Sequence, residues 1–333
     1  MDVQNNQQLA YELAHRPLAL VIVETGLLVL IALTALVGNS CVLYVFYKTP
    51  RLRSVTSYYI ITLAISDVAM AVVVMPGTLL ITANTVQPFT GLLGNAFPFV
   101  GFSLIYGSLQ TTALIAINRF FCVVKSRWYK VYFTPKRAVL MICGAWLLSV
   151  STMAVFLFGG FGTFTFNFEA ILHLPHFYNQ TAARIFGGFC EFMFIVFPLS
   201  ITTVCYWKVY QTVKQHNASV APNLNAGPAG HSSVTLSKEE IHITYSLLAV
   251  VCGFVLCWIP SSTVLHISIY TNLSRHAGLV ILYTCYASSA INPLVYNTFN
   301  KPFRREFLRI FHPSLLMRSC CCCKRDTTDE RPQ

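Results

Sequence analysis

The sequence predicts an all-α membrane protein, a bundle of seven transmembrane helices followed by a short amphipathic eighth helix. Three observations carry this. Of 333 residues, 55% are apolar and 11% charged, whereas a soluble domain carries about a quarter charged. Apolar runs recur seven times, at 18–47, 57–83, 95–124, 136–158, 185–212, 239–268 and 277–299, each long enough for the ~20 residues of a helical span. Basic residues gather in alternate intervals between these runs, as the positive-inside tendency requires. A soluble core would show charged stripes along its helices, and the ten-residue alternation of an outer-membrane barrel is missing.

The division that follows is a segment 1–17, a bundle 18–300, a surface helix 301–312 and a tail 313–333. Segment 1–17 is polar (Gln4, Asn5, Asn6, Gln7, Gln8) and lacks the basic-then-apolar entry of a signal peptide, so the first run reads as a retained span. Lys48, Arg51 and Arg53 follow the first span. Lys125, Arg127, Lys130, Lys136 and Arg137 follow the third, Lys208, Lys214 and Lys238 lie between the fifth and sixth, and eight more follow the seventh. The other side holds Arg16, Arg184 and Arg275. The amino terminus is therefore expected outside and the tail in the cytoplasm. The net charge of +11 is explained by this placement, and no nucleic-acid partner is expected.

Sequons at Asn179 and Asn272 fall outside in this topology, while Asn217 falls inside. Thr163–Glu169 alternates strictly (Thr-Phe-Thr-Phe-Asn-Phe-Glu) and predicts a hairpin strand whose phenylalanines cover the bundle as a lid. Residues 221–230, rich in Ala, Pro, Asn and Gly, read as a cytoplasmic loop. In 301–311, apolar residues 303, 307, 310 and 311 recur at helical spacing among arginines, the pattern of a helix lying on the inner leaflet. Cys320, Cys321, Cys322 and Cys323 follow as palmitoylation candidates, since adjacent cysteines lack the spacing of a tetrahedral metal site.

Within the spans a few residues break the apolar pattern. From Val68 to Asn118 there is no Asp, Glu, Lys or Arg, and then Arg119 appears. A guanidinium there must snorkel, pair or line a wet cavity; the alternative is an arginine that simply marks a helix end. Asp67 is a carboxylate near mid-bilayer, a functional candidate by default. Pro198, Pro260 and Pro293 each remove a backbone hydrogen bond and bend a span, and Trp258 lies two residues before Pro260, beside that hinge.

In order along the spans stand Gly38-Asn39, Leu63-Ala64-Ile65-Ser66-Asp67, Asn118-Arg119-Phe120, Trp146, Pro198 with Tyr206, Phe254-Val255-Leu256-Cys257-Trp258-Ile259-Pro260 and Asn292-Pro293-Leu294-Val295-Tyr296. Together these motifs resemble the rhodopsin-like G-protein-coupled receptors, over essentially Gly26 to Phe311. The resemblance implies a plasma-membrane receptor that binds an extracellular ligand and activates heterotrimeric G proteins by outward swing of the sixth helix. Arrestin and receptor kinases are implied as further partners, alongside membrane lipid.

The same resemblance assigns roles. Arg119 and Glu240 would form a latch between the third and sixth helices, worked by Phe254, Trp258, Pro260, Asn292, Pro293, Tyr206 and Tyr296. Asn118 replaces the usual acid beside the arginine and Phe120 the usual tyrosine, which places more weight on Glu240 or raises basal activity. Asp67, Asn39, Ser108, Ser288 and Asn292 would surround a sodium ion. Ser288 departs from the common asparagine, and an Asp67 bonded only to Asn292 is the alternative. The usual disulfide is missing: Gly94 stands at the first cysteine's place and 159–184 contains none, so that loop must be held by its own packing.

Ligand positions carried over are Gly101, Phe102, Ile105, Tyr106, Cys190, Glu191, Phe194, Trp258, Ser261, Ser262, Leu265, His266, Leu282 and Tyr286. Gly101 stands where amine receptors place an aspartate, and Tyr286 where opsins attach retinal. A small, largely uncharged or weakly cationic ligand is expected, with Glu191 as its polar hook. Runner-up readings are a peptide-activated or constitutively active receptor of the same fold, and further off a transporter, which would show internal repeats and charged midplane sites. An enzyme is not expected, since no His-Glu-x-x-His or Gly-x-Ser-x-Gly run occurs.

Overall fold

The structure, a computed structural model, describes residues 3–84, 86, 88–220, 238–268, 271 and 274–311, leaving aside the side chains of 3–6, 216–220, 238–247, 250, 268, 299 and 302. Seven long helices form the bundle: α2 (Leu18–Lys48), α3 (Val55–Thr82), α4 (Gly91–Val123), α6 (Pro135–Phe158), α7 (180–220), α8 (Lys238–Ser268) and α9 (Arg275–Phe299). Three shorter ones accompany them: α1 (Val3–Ala14), α5 (Ser126–Tyr132) and α10 (Lys301–Phe311). Six of the seven are long and apolar enough to cross a membrane, and α8 carries the apolar stretch Val251–Ile267. The seven-helix bundle read from the apolar runs is the fold observed.

Local chemistry sets the ends. Ser54 and Ser57 form a reciprocal capping box at the start of α3. Thr134 caps α6 with Pro135 in its first turn, Asn179 accepts from the Ala182 N–H at 2.7 Å at the start of α7, and Ser274 caps α9. Each side-chain oxygen satisfies a backbone donor that the helix leaves unpaired.

The prolines act through register. In α7 a π turn covers Phe192–Val196, and the Phe197 N–H reaches back to the Phe192 carbonyl. In that register the Met193 carbonyl would pair with residue 198, a proline without N–H. Gln110 of α4 donates its side-chain amide to this orphan at 2.8 Å. A second π turn, Met70–Val74 in α3, likewise precedes Pro76. Such widened turns let a helix continue past proline at the cost of a phase shift.

Packing centres on α4, which touches α3, α6 and α7, while α8 packs on α9 and α9 on α2. The last contact depends on Gly38: a Cβ there would lie 2.6 Å from the Pro293 ring, so only glycine admits the bent α9 this close. Away from the hairpin, a core is built on Tyr59, Leu63, Leu109, Phe254, Trp258 and Tyr296. Nearer the hairpin lie two further clusters, one around Met75, Ile171, Leu282 and Tyr286 and one aromatic, around Tyr106, Phe156, Phe164 and Phe194. On α10, Phe303 meets Phe46 and Tyr296, Phe311 meets Tyr44, and Arg304, Arg305 and Arg309 are exposed. This is the expected amphipathic helix.

The expected strand is present as β1 (Gly162–Asn167), antiparallel to β2 (Leu172–Phe177) with Phe164 opposite Pro175. It stops two residues short of the expectation, because Phe168 to Ile171 make the turn. Phe164 is buried, while Phe166 and Phe168 are only half-buried, so the lid is partly phenylalanine and partly the turn itself. The segment 1–17, read only as polar, contains α1, whose Leu13 is buried in the cluster of Ile171 and Leu282.

Candidate functional site

Beneath the hairpin, α3, α4, α8 and α9 enclose a cavity of about 920 Å³, open solvent at its mouth included. Of the ligand positions carried over, Gly101, Phe102, Ile105, Tyr106, Trp258, Ser261, Ser262, Leu265 and Tyr286 line it. A second cavity of about 710 Å³, between α4, α6, α7, α8 and β2, shares Tyr106, Ser262 and Leu265 and adds Cys190, Glu191 and His266. The expected ligand positions are thus spread over two adjoining cavities.

Two expected ligand residues line neither cavity. Phe194 lies within the π turn, which rotates the helix phase, and is fully buried with its ring stacked on Tyr106 at 4.3 Å. Leu282 is fully buried in the cluster that includes Ile171 of the hairpin turn, which covers it. Hairpin residues Ile171, Leu172, His173 and Leu174, with Thr78 and Ile81 of α3, are walls that sequence reasoning missed.

The first cavity's polar groups are mostly spent on one another. Thr78 and Tyr286 hydroxyls are 2.7 Å apart, Ser261 meets Cys285, Ser262 donates to the Ile259 carbonyl, and His173 Nε2 donates to the Phe89 carbonyl at 2.8 Å. Burial depresses the His173 pKa, and the bond to Phe89 opposes that shift. Trp258 Nε1 is buried without a hydrogen-bond partner among the described residues. No Asp, Glu, Lys or Arg lines this cavity among the described residues, so its chemistry is that of an apolar binder.

The hairpin is held without a disulfide, and the cysteines of the described residues are free. Asn95 Oδ1 accepts from Thr163 Oγ1 at 2.9 Å and from the Phe164 N–H at 3.1 Å, and Asn167 Oδ1 from the Ala170 N–H at 2.7 Å. The Glu169–Ala170 backbone sits directly on Gly278 of α9, where a Cβ would lie 2.6 Å from the Ala170 nitrogen. Ile171, fully buried, adopts φ +54°. A β-branched residue in the left-handed region is strained by about 1–3 kcal/mol, which surrounding contacts must offset.

A further cluster closes the same face. Glu24 of α2 is 3% exposed and accepts from Arg275 Nη2, 2.7 Å from both carboxylate oxygens, and from Arg16 Nη1. Arg16 also donates to the Thr82 carbonyl at 2.8 Å, Asn84 Oδ1 at 2.6 Å and the Leu13 carbonyl at 2.8 Å. It thereby ties α1, α2, α3 and α9 together. Burial lowers the Arg16 pKa, and the Glu24 carboxylate works against that shift.

In the bundle middle, Asn292 Nδ2 donates to Asp67 Oδ2 at 2.8 Å, with Ser289 alongside. The other expected members turn elsewhere. Ser108 pairs with Ser66 at 2.9 Å, Asn39 donates to the Ala35 and Ser289 carbonyls, and Ser288 donates to the Cys285 carbonyl. Asp67, Ser66, Ser108, Ser288 and Ser289 nevertheless border one small cavity, and Asn39 Oδ1 and Asn292 Oδ1 are buried acceptors without partners among the described residues. An all-oxygen set with spare acceptors fits a hard cation such as sodium.

At the opposite end, Arg119 is 5% exposed and donates to Thr56 Oγ1, whose own hydroxyl donates to Asn118 Oδ1 at 2.8 Å. Tyr206 and Tyr296 are buried nearby, their hydroxyls without a partner among the described residues. Glu240 lies in α8, but its side chain is outside the described residues, so the expected latch is untouched by these contacts. Asn179 is exposed at the hairpin face. Asn272 and Cys320, Cys321, Cys322 and Cys323 lie outside the described residues.

A family model described as "7 transmembrane receptor (rhodopsin family)" matches residues 38–296. Among curated relatives, octopamine receptor beta-2R of Chilo suppressalis is 25% identical, covering 92% of this chain and 82% of its own. Adenosine receptor A3 of Ovis aries is 26% identical (89% and 90%), and somatostatin receptor type 4 of Rattus norvegicus 27% (91% and 75%). The crystal structure of squid rhodopsin is similar in fold, with a TM-score of 0.74 at 22% identity, covering 95% of this chain and 93% of that one.

Proposed function

Because the chain belongs to the rhodopsin family of seven-transmembrane receptors, we propose that its paired cavities take a small extracellular ligand and that α8 passes the event to a heterotrimeric G protein. The observation that carries this reading is the placement of Trp258. It stands in the wall of the apolar cavity and two residues from Pro260 in the same helix. A ligand pressing on that ring acts at the hinge, and rotation about a proline bend is amplified at the helix's far end.

That far end carries Glu240, the proposed partner of Arg119. Holding a buried guanidinium by an acid on a hinged helix makes a latch, and removing the acid favours the open form. Thr56 and Asn118 support the closed position of Arg119 with neutral groups. Asp67, with the Ser108 and Ser288 hydroxyls and the free Asn39 and Asn292 oxygens, would hold sodium, which supplies a positive charge that steadies the bundle centre.

The protein in this reading lies in the plasma membrane with its amino terminus and hairpin outside. Asn179 and Asn272 would carry glycans, Cys320, Cys321, Cys322 and Cys323 palmitoyl chains beside α10, and arrestin and receptor kinases would act on the cytoplasmic face. Guanine-nucleotide exchange on purified G proteins tests the signalling step. Glu240→Ala is expected to raise basal exchange several-fold at equal surface expression. Unchanged exchange removes the latch, and no response of any G protein to wild type, ligand libraries or this variant removes the signalling reading.

A further inference from the structure

The second cavity differs from the first in one respect that decides what enters it. Among the described residues lining the two cavities, Glu191 is the single Asp, Glu, Lys or Arg. Around it stand the rings of Tyr106, Phe156, Phe177 and Phe186. Ring faces carry negative potential and attract cations, and a carboxylate among them adds to the same sign. An anionic group would meet repulsion from both.

Glu191 Oε2 lies 2.8 Å from Nδ1 of His266, joining α7 to α8 at the cavity wall. The pair is half-open, its side chains 34% and 49% exposed, and a contact so hydrated contributes little to stability. A ligand charge can therefore displace the imidazole at small cost, whereas burial of a ligand cation against the rings strengthens its attraction to the carboxylate. Across the bundle, Gly101 leaves the α4 wall of the first cavity without a counter-ion. The charged contact and the apolar contact are thus on opposite sides of Tyr106, Ser262 and Leu265, the wall residues that the two cavities share.

We propose that the ligand is an organic ammonium or amidinium with an apolar body, its cationic end in the second cavity with Glu191 as counter-ion and His266 as the group displaced. The body lies in the first cavity under Ile171 and Leu172, against Trp258. Displacing His266 removes its contact between α7 and α8 eight residues beyond Trp258, so charge binding and ring contact act on the same helix. This rests on the ligand reading of the cavities.

Equilibrium dialysis of the full-length purified protein, with 2-phenylethylammonium and the neutral 2-phenylethanol as probes, tests it. The ammonium is expected to bind at least tenfold more tightly than the alcohol. Glu191→Gln should abolish that preference and Glu191→Asp retain it, with an unchanged thermal unfolding midpoint in both as proof of an intact fold. His266→Ala should tighten ammonium binding at least threefold, because a competitor is removed. Equal affinities, no ammonium binding, a preference that survives Glu191→Gln, or weaker binding in His266→Ala overturns the proposal. Since the readout is binding, silence in nucleotide exchange would strike the signalling reading and leave this one standing.

Discussion

Replacing Glu24 with alanine leaves Arg16 and Arg275 facing one another at the hairpin end of the bundle. The Arg16 and Glu24 side chains are each 4% exposed, and removing one member of a pair so buried costs about 3–5 kcal/mol. The Arg275 arm, 30% exposed, adds roughly 1 kcal/mol at most because water screens it. At about 2–4 °C per kcal/mol for a chain of a few hundred residues, the apparent melting temperature should fall by about 6–24 °C. Reaction of the buried Cys190 and Cys257 with a maleimide dye in a detergent-purified sample reads that temperature, at fixed scan rate because unfolding is irreversible. Loss should rank Glu24→Ala, then Arg16→Met, then Arg275→Met. Adding Arg16→Met to Glu24→Ala should restore part of the loss, since the stranded cation is gone. A fall of less than about 2 °C for Glu24→Ala, or no recovery in the double variant, refutes the reasoning that this cluster fastens the hairpin end of the bundle.

Gly278→Val places side-chain carbon where the Glu169–Ala170 backbone now sits, so the turn must lift; amide exchange of residues 168–172 should accelerate at least tenfold, with helix amides unaffected. His173 gives the hairpin a pH dependence. Its folded pKa lies below the usual histidine value, so the unfastened hairpin binds a proton first, and the stabilisation present above about pH 6.5 is lost as pH falls toward the folded pKa. Hairpin amides, corrected for intrinsic exchange, should therefore be less protected at pH 5.5 than at 7.5, and His173→Gln should flatten the difference.

What the sequence determined by itself is whatever depends on neighbours along the chain. Apolar runs of span length, serine, threonine and asparagine caps, prolines at bends and the spaced phenylalanines of α10 each act within a few residues, so the seven helices, the hairpin and the surface helix could be read directly. Asp67, Arg119 and Trp258 stood out as breaks in apolar runs or neighbours of a proline, and the family motifs added the roles expected of them. Tertiary structure alone decided the partners. Glu24 meets Arg275 across 251 residues, and nothing local marks that carboxylate as the centre of a clamp. Ile171 carries no turn signal, since a β-branched residue rarely takes φ +54°; it does so because the Gly278 notch and the surrounding core hold it there. Phe194 was misplaced because a π turn shifts helical phase without changing the count of residues. Burial and close approach are properties of two surfaces meeting, and a single strand of sequence specifies only one of them at a time.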